Sequence, residues 1–219
     1  MKTNRTNLDE LFMMECIALA RKGAGYVSPN PMVGAVIVKD GKVVGRGYHK
    51  RFGGPHAEVE AIRNAKSSVS GATIYINLEP CNYYGKTPPC TDFIIKNKIS
   101  KVVIGSRDPN PLVSGKGIRQ LRKSGIEVIE GALRDECRKL NEAFSKYITK
   151  NLPFVTLKIA QSLDGKISHA NNAQRWITNQ ASHELVHLLR SHYDAVLVGA
   201  GTVLEDNPKL TVRNIRGRN

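Results

Sequence analysis

His56-Ala57-Glu58, and Glu79-Pro80-Cys81 followed by Cys90, decide how this chain reads. One imidazole and two thiols are good zinc donors, and Glu58 is a carboxylate two residues past the histidine. A hydrolytic zinc site takes three protein ligands and keeps a fourth position for water. It also needs a side chain that carries the water's proton to a leaving amine. His56, Cys81 and Cys90 suit the first requirement and Glu58 the second. The same stretches set the local fold. Pro55 suits a first helical turn, so His56 and Glu58 are expected at a helix N-terminus running to Ala65. Thr73 to Leu78 reads as a strand that Glu79-Pro80-Cys81 ends, Asn82 to Pro89 as a loop, and Cys90 to Asn97 as a helix. Both cysteines are then expected near a helix start, where backbone N–H groups favour thiolate over thiol.

Working outward, Leu8 to Ala24 reads as a helix capped by Asn7 or Asp9, and Ser28-Pro29-Asn30-Pro31 as a turn-rich loop. Gly34 to Val38 and Val43 to Tyr48 form the arms of a hairpin turned by Lys39-Asp40-Gly41-Lys42. Lys101 to Gly105 and Ile126 to Ile129 read as strands, Gly117 to Ser124 as a helix, and Leu133 to Thr149 as one long amphipathic helix. Strand and helix thus alternate from Val33 to Gly131, which predicts an α/β architecture with helices on both faces of a mixed sheet. A second unit is expected from Asn151-Leu152-Pro153, dividing the chain into residues 1–150 and 151–219. In it, Phe154 to Ala160 and Ala195 to Val198 read as strands and Asn179 to Leu189 as a helix. This remainder is short for an independent α/β domain.

No apolar run approaches the ~20 residues that span a bilayer, and the polar N-terminus lacks a signal peptide's apolar core. A cytoplasmic protein is expected. Four cysteines in 219 residues make no disulfide framework; Cys16 and Cys137 read as structural. The net charge of +14 is spread without a basic block, and aromatic residues make up only 6%, so stacking platforms for single strands are few. A phosphorylated small molecule is favoured over nucleic acid as the anionic partner.

His183-Glu184-Leu185-Val186-His187 matches the zinc-protease pattern H-E-x-x-H, with Glu205 as an imaginable third ligand. Three fixed positions arise easily by chance, and the pattern is read as coincidental. Two rivals to a small-molecule hydrolase are a zinc deaminase acting on tRNA and a binding protein whose zinc is structural.

His-x-Glu followed by Pro-Cys also resembles the zinc nucleobase deaminase signature, but here eight residues separate the cysteines where that signature has two. The filling, Tyr84-Gly85-Lys86-Thr87-Pro88-Pro89, together with Asn30-Pro31-Met32-Val33-Gly34-Ala35 and Asp108-Pro109-Asn110-Pro111, closely resembles the bifunctional riboflavin-biosynthesis deaminase–reductase family. The resemblance runs from about Met13 to Arg213. It implies a cytidine-deaminase-like three-layer α/β/α domain that hydrolyses the 2-amino group of 2,5-diamino-6-(5-phosphoribosylamino)pyrimidin-4(3H)-one. It also implies Zn2+ on His56, Cys81 and Cys90, Glu58 as the proton carrier, and Asn30, His49, Lys86, Asp108 and Asn110 around the substrate.

From Leu157-Lys158-Ile159-Ala160 through Arg175-Trp176-Ile177-Thr178 to Asp206-Asn207-Pro208, the chain resembles the start of the family's reductase, which has a dihydrofolate-reductase-like fold and uses NADPH to reduce ribose to ribitol. That likeness implies cofactor contacts at Ala160, Trp176, Thr202 and Asp206, and substrate contacts at Gln174, Arg190, Leu210 and Arg213. The family usually has serine in place of Gln174. The reductase part reads as truncated, so the chain is expected to deaminate without reducing. Oligomeric state is not legible; self-association is compatible with an incomplete second part.

Overall fold

The computed structural model describes residues 2–85, 87–168, 176–213, 215 and 217, with the backbone alone for residues 2–7. Five strands build one mixed sheet: β1 (Gly34–Lys39), β2 (Lys42–Tyr48), β3 (Thr73–Leu78), β4 (Lys101–Ser106) and β5 (Glu127–Glu130), in the order β2-β1-β3-β4-β5. β1 runs antiparallel to both β2 and β3, whereas β3, β4 and β5 are parallel. Asp40 and Gly41 turn the β1–β2 hairpin with φ of 50° and 73°, the left-handed pair that a two-residue turn matching the strand twist needs. Every residue of β4 is buried, as expected of a strand covered on both faces.

Alternate side chains feed two cores. Ala35, Ile37, Ile74, Ile76, Val102 and Ile104 face α2 (Ala57–Arg63), α3 (Cys90–Lys96) and α4 (Lys116–Lys123), which contribute Ala57, Ala61, Ile94, Ile118 and Leu121. Val36, Val38, Tyr75 and Val103 face α1 (Lys2–Arg21) and α5 (Arg134–Leu140), which contribute Met13, Cys16, Ile17 and Cys137. The three-layer α/β/α arrangement is thus present. α2 lies unusually close to β2: a Cβ on Gly47 would stand 2.3 Å from Ala61 N and 2.5 Å from Ala57 O. Only glycine lets the helix backbone come so near.

Two expectations are corrected. The long helix expected over Leu133 to Thr149 is two helices, α5 and α6 (Glu142–Lys150), separated at Asn141 with φ −110° and ψ 27°. The Asn141 side chain bonds the backbone of Met32, and that tertiary grip outweighs helix continuity. In the second unit, Val155–Asn219, the described residues hold α7 (Gln180–His192) and α8 (Ala200–Asp206) but no strand. Phe154 to Ala160 and Ala195 to Val198 have the composition of strands yet join no ladder among the described residues, and a strand needs a hydrogen-bonded neighbour. Val155, Leu157 and Ile159 stay more than half exposed. Gly199 is the N-cap residue of α8. α7 begins as read, with Asn179 Oδ1 accepting from Ser182 N at 3.0 Å.

Candidate active site

The strand directions gather the site. The C-terminal ends of β3 and β4, the start of β1 and the end of β2 share one rim, because Gly34 pairs with Tyr48 and β1 runs against β3. Cys81, Asp108, Asn30 and His49 leave the sheet at that rim. His56 is the N-cap residue of α2, with φ −76° and ψ 164°, and Glu58 lies in its first turn. Cys90 is the first residue of α3, and its N–H donates to Cys81 Sγ at 3.4 Å. Cys81 itself follows β3 in a loop, so it is the α3 N-terminus that meets its sulfur, not a helix of its own.

The donor atoms of His56, Cys81 and Cys90 all lie within 4.8 Å of one another, and among the described residues no fourth histidine, cysteine or carboxylate joins them. His56 Nδ1 stands 3.5 Å from Cys81 Sγ and 3.3 Å from Cys90 Sγ. Zinc bonds of about 2.3 Å to sulfur and about 2.0 Å to nitrogen, at a tetrahedral angle, set sulfur and nitrogen about 3.5 Å apart. The trio therefore has a spacing that suits one zinc ion, which His56 would hold through Nδ1. The soft S,S,N donor set suits zinc and leaves room in a tetrahedron for a water. His56 Nε2 faces Thr87 Oγ1 at 3.4 Å.

The Cys90 thiol beside Cys81, with His56 and the Cys90 N–H, lowers the Cys81 pKa to about 4. The same contact, reinforced by burial, raises that of Cys90. The hydrogen bond to Cys81 raises the His56 pKa. Glu58 is buried, and burial raises its pKa. Its Oε2 is buried with no hydrogen-bond partner, an orphan acceptor beside the metal donors.

His49 is buried, and Pro55 O lies 3.0 Å from its Nδ1. A carbonyl can only accept, so Nδ1 carries the hydrogen and Nε2 accepts from Asn30 Nδ2 at 3.2 Å. Burial lowers the His49 pKa, in keeping with this neutral ring. Asp108 Oδ1 accepts from Asn110 N at 2.8 Å, and Asn110 Oδ1 accepts from Leu112 N at 3.0 Å. Burial pushes the Asp108 carboxyl up to about 6. Lys86 lies outside the described residues.

The second unit brings Arg190 and Arg213 to one segment: Arg190 Nη1 donates to Lys209 O at 3.4 Å, and Arg213 Nη1 to the same oxygen at 2.7 Å. Leu210 lies between those carbonyl partners, Lys209 and Thr211. Trp176 packs against the His183 ring, Thr202 and Asp206 lie on exposed α8, and Ala160 is half-buried on an unpaired segment. Gln174 and Arg175 fall outside the described residues. The H-E-x-x-H pair has other partners: His187 Nδ1 accepts from Arg213 N at 3.1 Å, while His183 meets Trp176.

Three supporting residues were not singled out from sequence. Glu79, Thr87 and Asn141 were visible there only as a motif acid, a loop hydroxyl and a polar residue in a helical run. Glu79 is buried, and its carboxylate accepts from Gly115 N (2.9 Å), Gly117 N (3.1 Å), Ile118 N and Asp108 N (both 3.3 Å). It ties the end of β3 to the Asp108 loop and the start of α4.

Residues 6–106 match the family model for the cytidine and deoxycytidylate deaminase zinc-binding region, and residues 153–219 that for the RibD C-terminal domain. The riboflavin biosynthesis protein RibD of Aquifex aeolicus is 52% identical over 206 residues, covering 94% of this chain and 58% of that protein. The Escherichia coli RibD protein is 45% identical over 205 residues, with 94% and 56% covered. A crystal structure of a diaminohydroxyphosphoribosylaminopyrimidine deaminase/5-amino-6-(5-phosphoribosylamino)uracil reductase from Thermotoga maritima superposes with a TM-score of 0.93 at 54% identity, covering 98% of this chain and 62% of that one. The chain thus spans somewhat more than half the length of the relatives it matches.

Proposed function

The chain belongs to the riboflavin-biosynthesis deaminase–reductase family, and from that membership we propose that its first unit is a zinc-dependent pyrimidine deaminase. The substrate we assign is 2,5-diamino-6-(5-phosphoribosylamino)pyrimidin-4(3H)-one, converted with water to 5-amino-6-(5-phosphoribosylamino)uracil and ammonia. The observation that carries this reading is the approach of His56 Nδ1 to both cysteine sulfurs, with an orphan Glu58 oxygen buried beside them.

In this reading His56, Cys81 and Cys90 hold the zinc. Zinc, when bound, acts as a Lewis acid that makes water a nucleophile near neutral pH. Glu58 takes the proton from the attacking water and hands it to the ring nitrogen next to the carbon under attack. It then takes the proton of the hydroxyl now on that carbon and delivers it to the amino group, which leaves as ammonia while the ring carbon becomes a carbonyl. Burial around Glu58 keeps bulk water from competing for that proton. Asn30, His49, Asp108 and Asn110 line the rim and orient the pyrimidine, and Lys86, in the loop between the two cysteines, pairs with the phosphate. We place the reaction in the cytoplasm, where thiol ligands stay reduced. No helix among the described residues is long and apolar enough to cross a membrane.

The family's second step, NADPH-dependent reduction of ribose to ribitol, would draw on Ala160, Trp176, Thr202 and Asp206. The described residues of the second unit contain no strand ladder to line a cofactor cleft, so we assign this chain deamination alone. Ammonia release from the diaminopyrimidine, measured with and without a zinc chelator and with Glu58→Gln, tests the proposal. Loss of about 10²-fold or more in Glu58→Gln with zinc retained is expected, and an unchanged rate would refute the role of Glu58. Robust NADPH oxidation with the deaminated product would refute the restriction to one step.

A further inference from the structure

Asn141 stands where a continuous helix would otherwise run, and it is almost wholly buried. Its side-chain amide pairs with both backbone polar groups of one distant residue. Oδ1 accepts from Met32 N at 2.8 Å and Nδ2 donates to Met32 O at 2.9 Å. Asn77, fully buried on β3, grips the same stretch: its Nδ2 donates to Met32 O at 3.0 Å and its Oδ1 accepts from Gly34 N at 2.8 Å. A polar residue is placed in a core only with its bonds satisfied, and here two amides are used to hold the backbone at Met32 and Gly34.

The held stretch begins two residues after Asn30. Asn30 Nδ2 is committed to His49 Nε2, which leaves Asn30 Oδ1 as the acceptor for a donor arriving at the rim. The pyrimidine assigned above offers amino and ring N–H donors. A displaced backbone at Met32 would carry Asn30 away from His49 and lose that presentation.

We propose that Asn141 is a positioning residue for substrate: by clamping Met32 it holds Asn30 so that Oδ1 faces an N–H of the pyrimidine. This rests on the deaminase reading and on the place of Asn30 in it. An interaction made equally in ground and transition states shows in KM, not kcat. Asn141→Ala is therefore expected to raise KM about tenfold with kcat within about twofold and zinc content unchanged. In an Asn30→Ala background the same substitution should add nothing to KM, because the residue it acts through is gone. An unchanged KM in zinc-loaded Asn141→Ala, or a full effect persisting without the Asn30 side chain, would overturn the inference. If Asn141→Ala does not fold, Asn141→Asp keeps the acceptor for Met32 N and loses the donor to Met32 O; an unchanged KM there overturns it equally.

Amide hydrogen exchange separates this claim from the deaminase reading. Asn141→Ala should speed exchange at Met32 at least tenfold while Gly34, held by Asn77, stays protected; unaltered exchange at Met32 would show that there is no clamp. A wild-type protein with no deaminase activity but a working clamp would sink the proposed function and leave the contact standing without the substrate role.

Discussion

Glu79→Gln probes the buried carboxylate that joins three segments of the site. Its two oxygens accept four backbone N–H bonds, from Gly115 and Asp108 at Oε2 and from Gly117 and Ile118 at Oε1. Glutamine has one carbonyl oxygen and one NH2. Either orientation keeps one pair of bonds and turns the NH2 group towards two N–H donors that then have no acceptor. Hydrogen bonds to a charged group are worth about 1.5–3 kcal/mol each. Either lost pair holds one bond of 3.3 Å and one shorter, of 2.9 or 3.1 Å. Two such bonds, offset by relief of the buried charge, give a net cost of about 3 kcal/mol. For a unit of this size that lowers Tm by about 6–12 °C. Circular dichroism melts and urea titration of the zinc-loaded protein measure it, followed through the transition of the first unit. A loss below about 1 kcal/mol would refute the reasoning, because it would mean that the N–H bonds do no more than balance the cost of burying the charge. A preserved zinc content beside lowered substrate affinity would place the damage in the Asp108 loop, which Glu79 anchors through Asp108 N.

Thr87→Val removes the oxygen that meets His56 Nε2. Partners of a ligating histidine's second nitrogen typically carry 10–100-fold in metal affinity, so competition with a chromogenic chelator should show a weakening of about tenfold or more, largely restored in Thr87→Ser. Asp108→Asn tests pH dependence. A carboxyl raised to about 6 in the fold binds its proton more tightly than in the unfolded chain, so its stabilising contribution is full below about pH 4 and is lost as pH rises through about 6. Urea midpoints should show Asp108→Asn gaining about 1–3 kcal/mol over wild type at pH 8 and nothing at pH 4, with substrate binding impaired. Gly47→Ala forces a methyl into the backbone of α2 and should cost at least about 2 kcal/mol, read by thermal melts, together with weaker zinc binding because α2 carries His56 and Glu58.

Much of the first unit is legible from local pattern. Thr73 to Leu78 is a strand with the bounds read for it, since a short apolar run ends at Glu-Pro-Cys and proline cannot continue the ladder. The hairpin is announced by Asp40-Gly41. The zinc trio is legible because its chemistry tolerates few other residue types. What escapes is tertiary. Asn141 sits in a run with helical periodicity, and nothing local says that its amide will reach Met32, 109 positions earlier in the chain. The warning was its type, since asparagine is a poor helix former, and likewise for Asn77 among the apolar residues of β3. In sequence Glu79 is only the acid before Pro-Cys, because its four partners belong to a loop and helix nearly thirty residues or more away. The strands expected in the second unit were read from composition alone, and composition cannot supply the neighbour that a strand requires.

The hairpin that places Tyr48 beside Gly34 also sends Asp40-Gly41 to the opposite end of the same strands. A strand of six residues is about 20 Å long, so that turn lies roughly the depth of the sheet from the chemistry. A Cβ on Gly41 would meet nothing within 4 Å. Within the first unit the hairpin turn therefore stands at the rim opposite the candidate site. An inserted epitope or a surface tether belongs at that turn, where lengthening the chain leaves the donors and the residues that aim them in place.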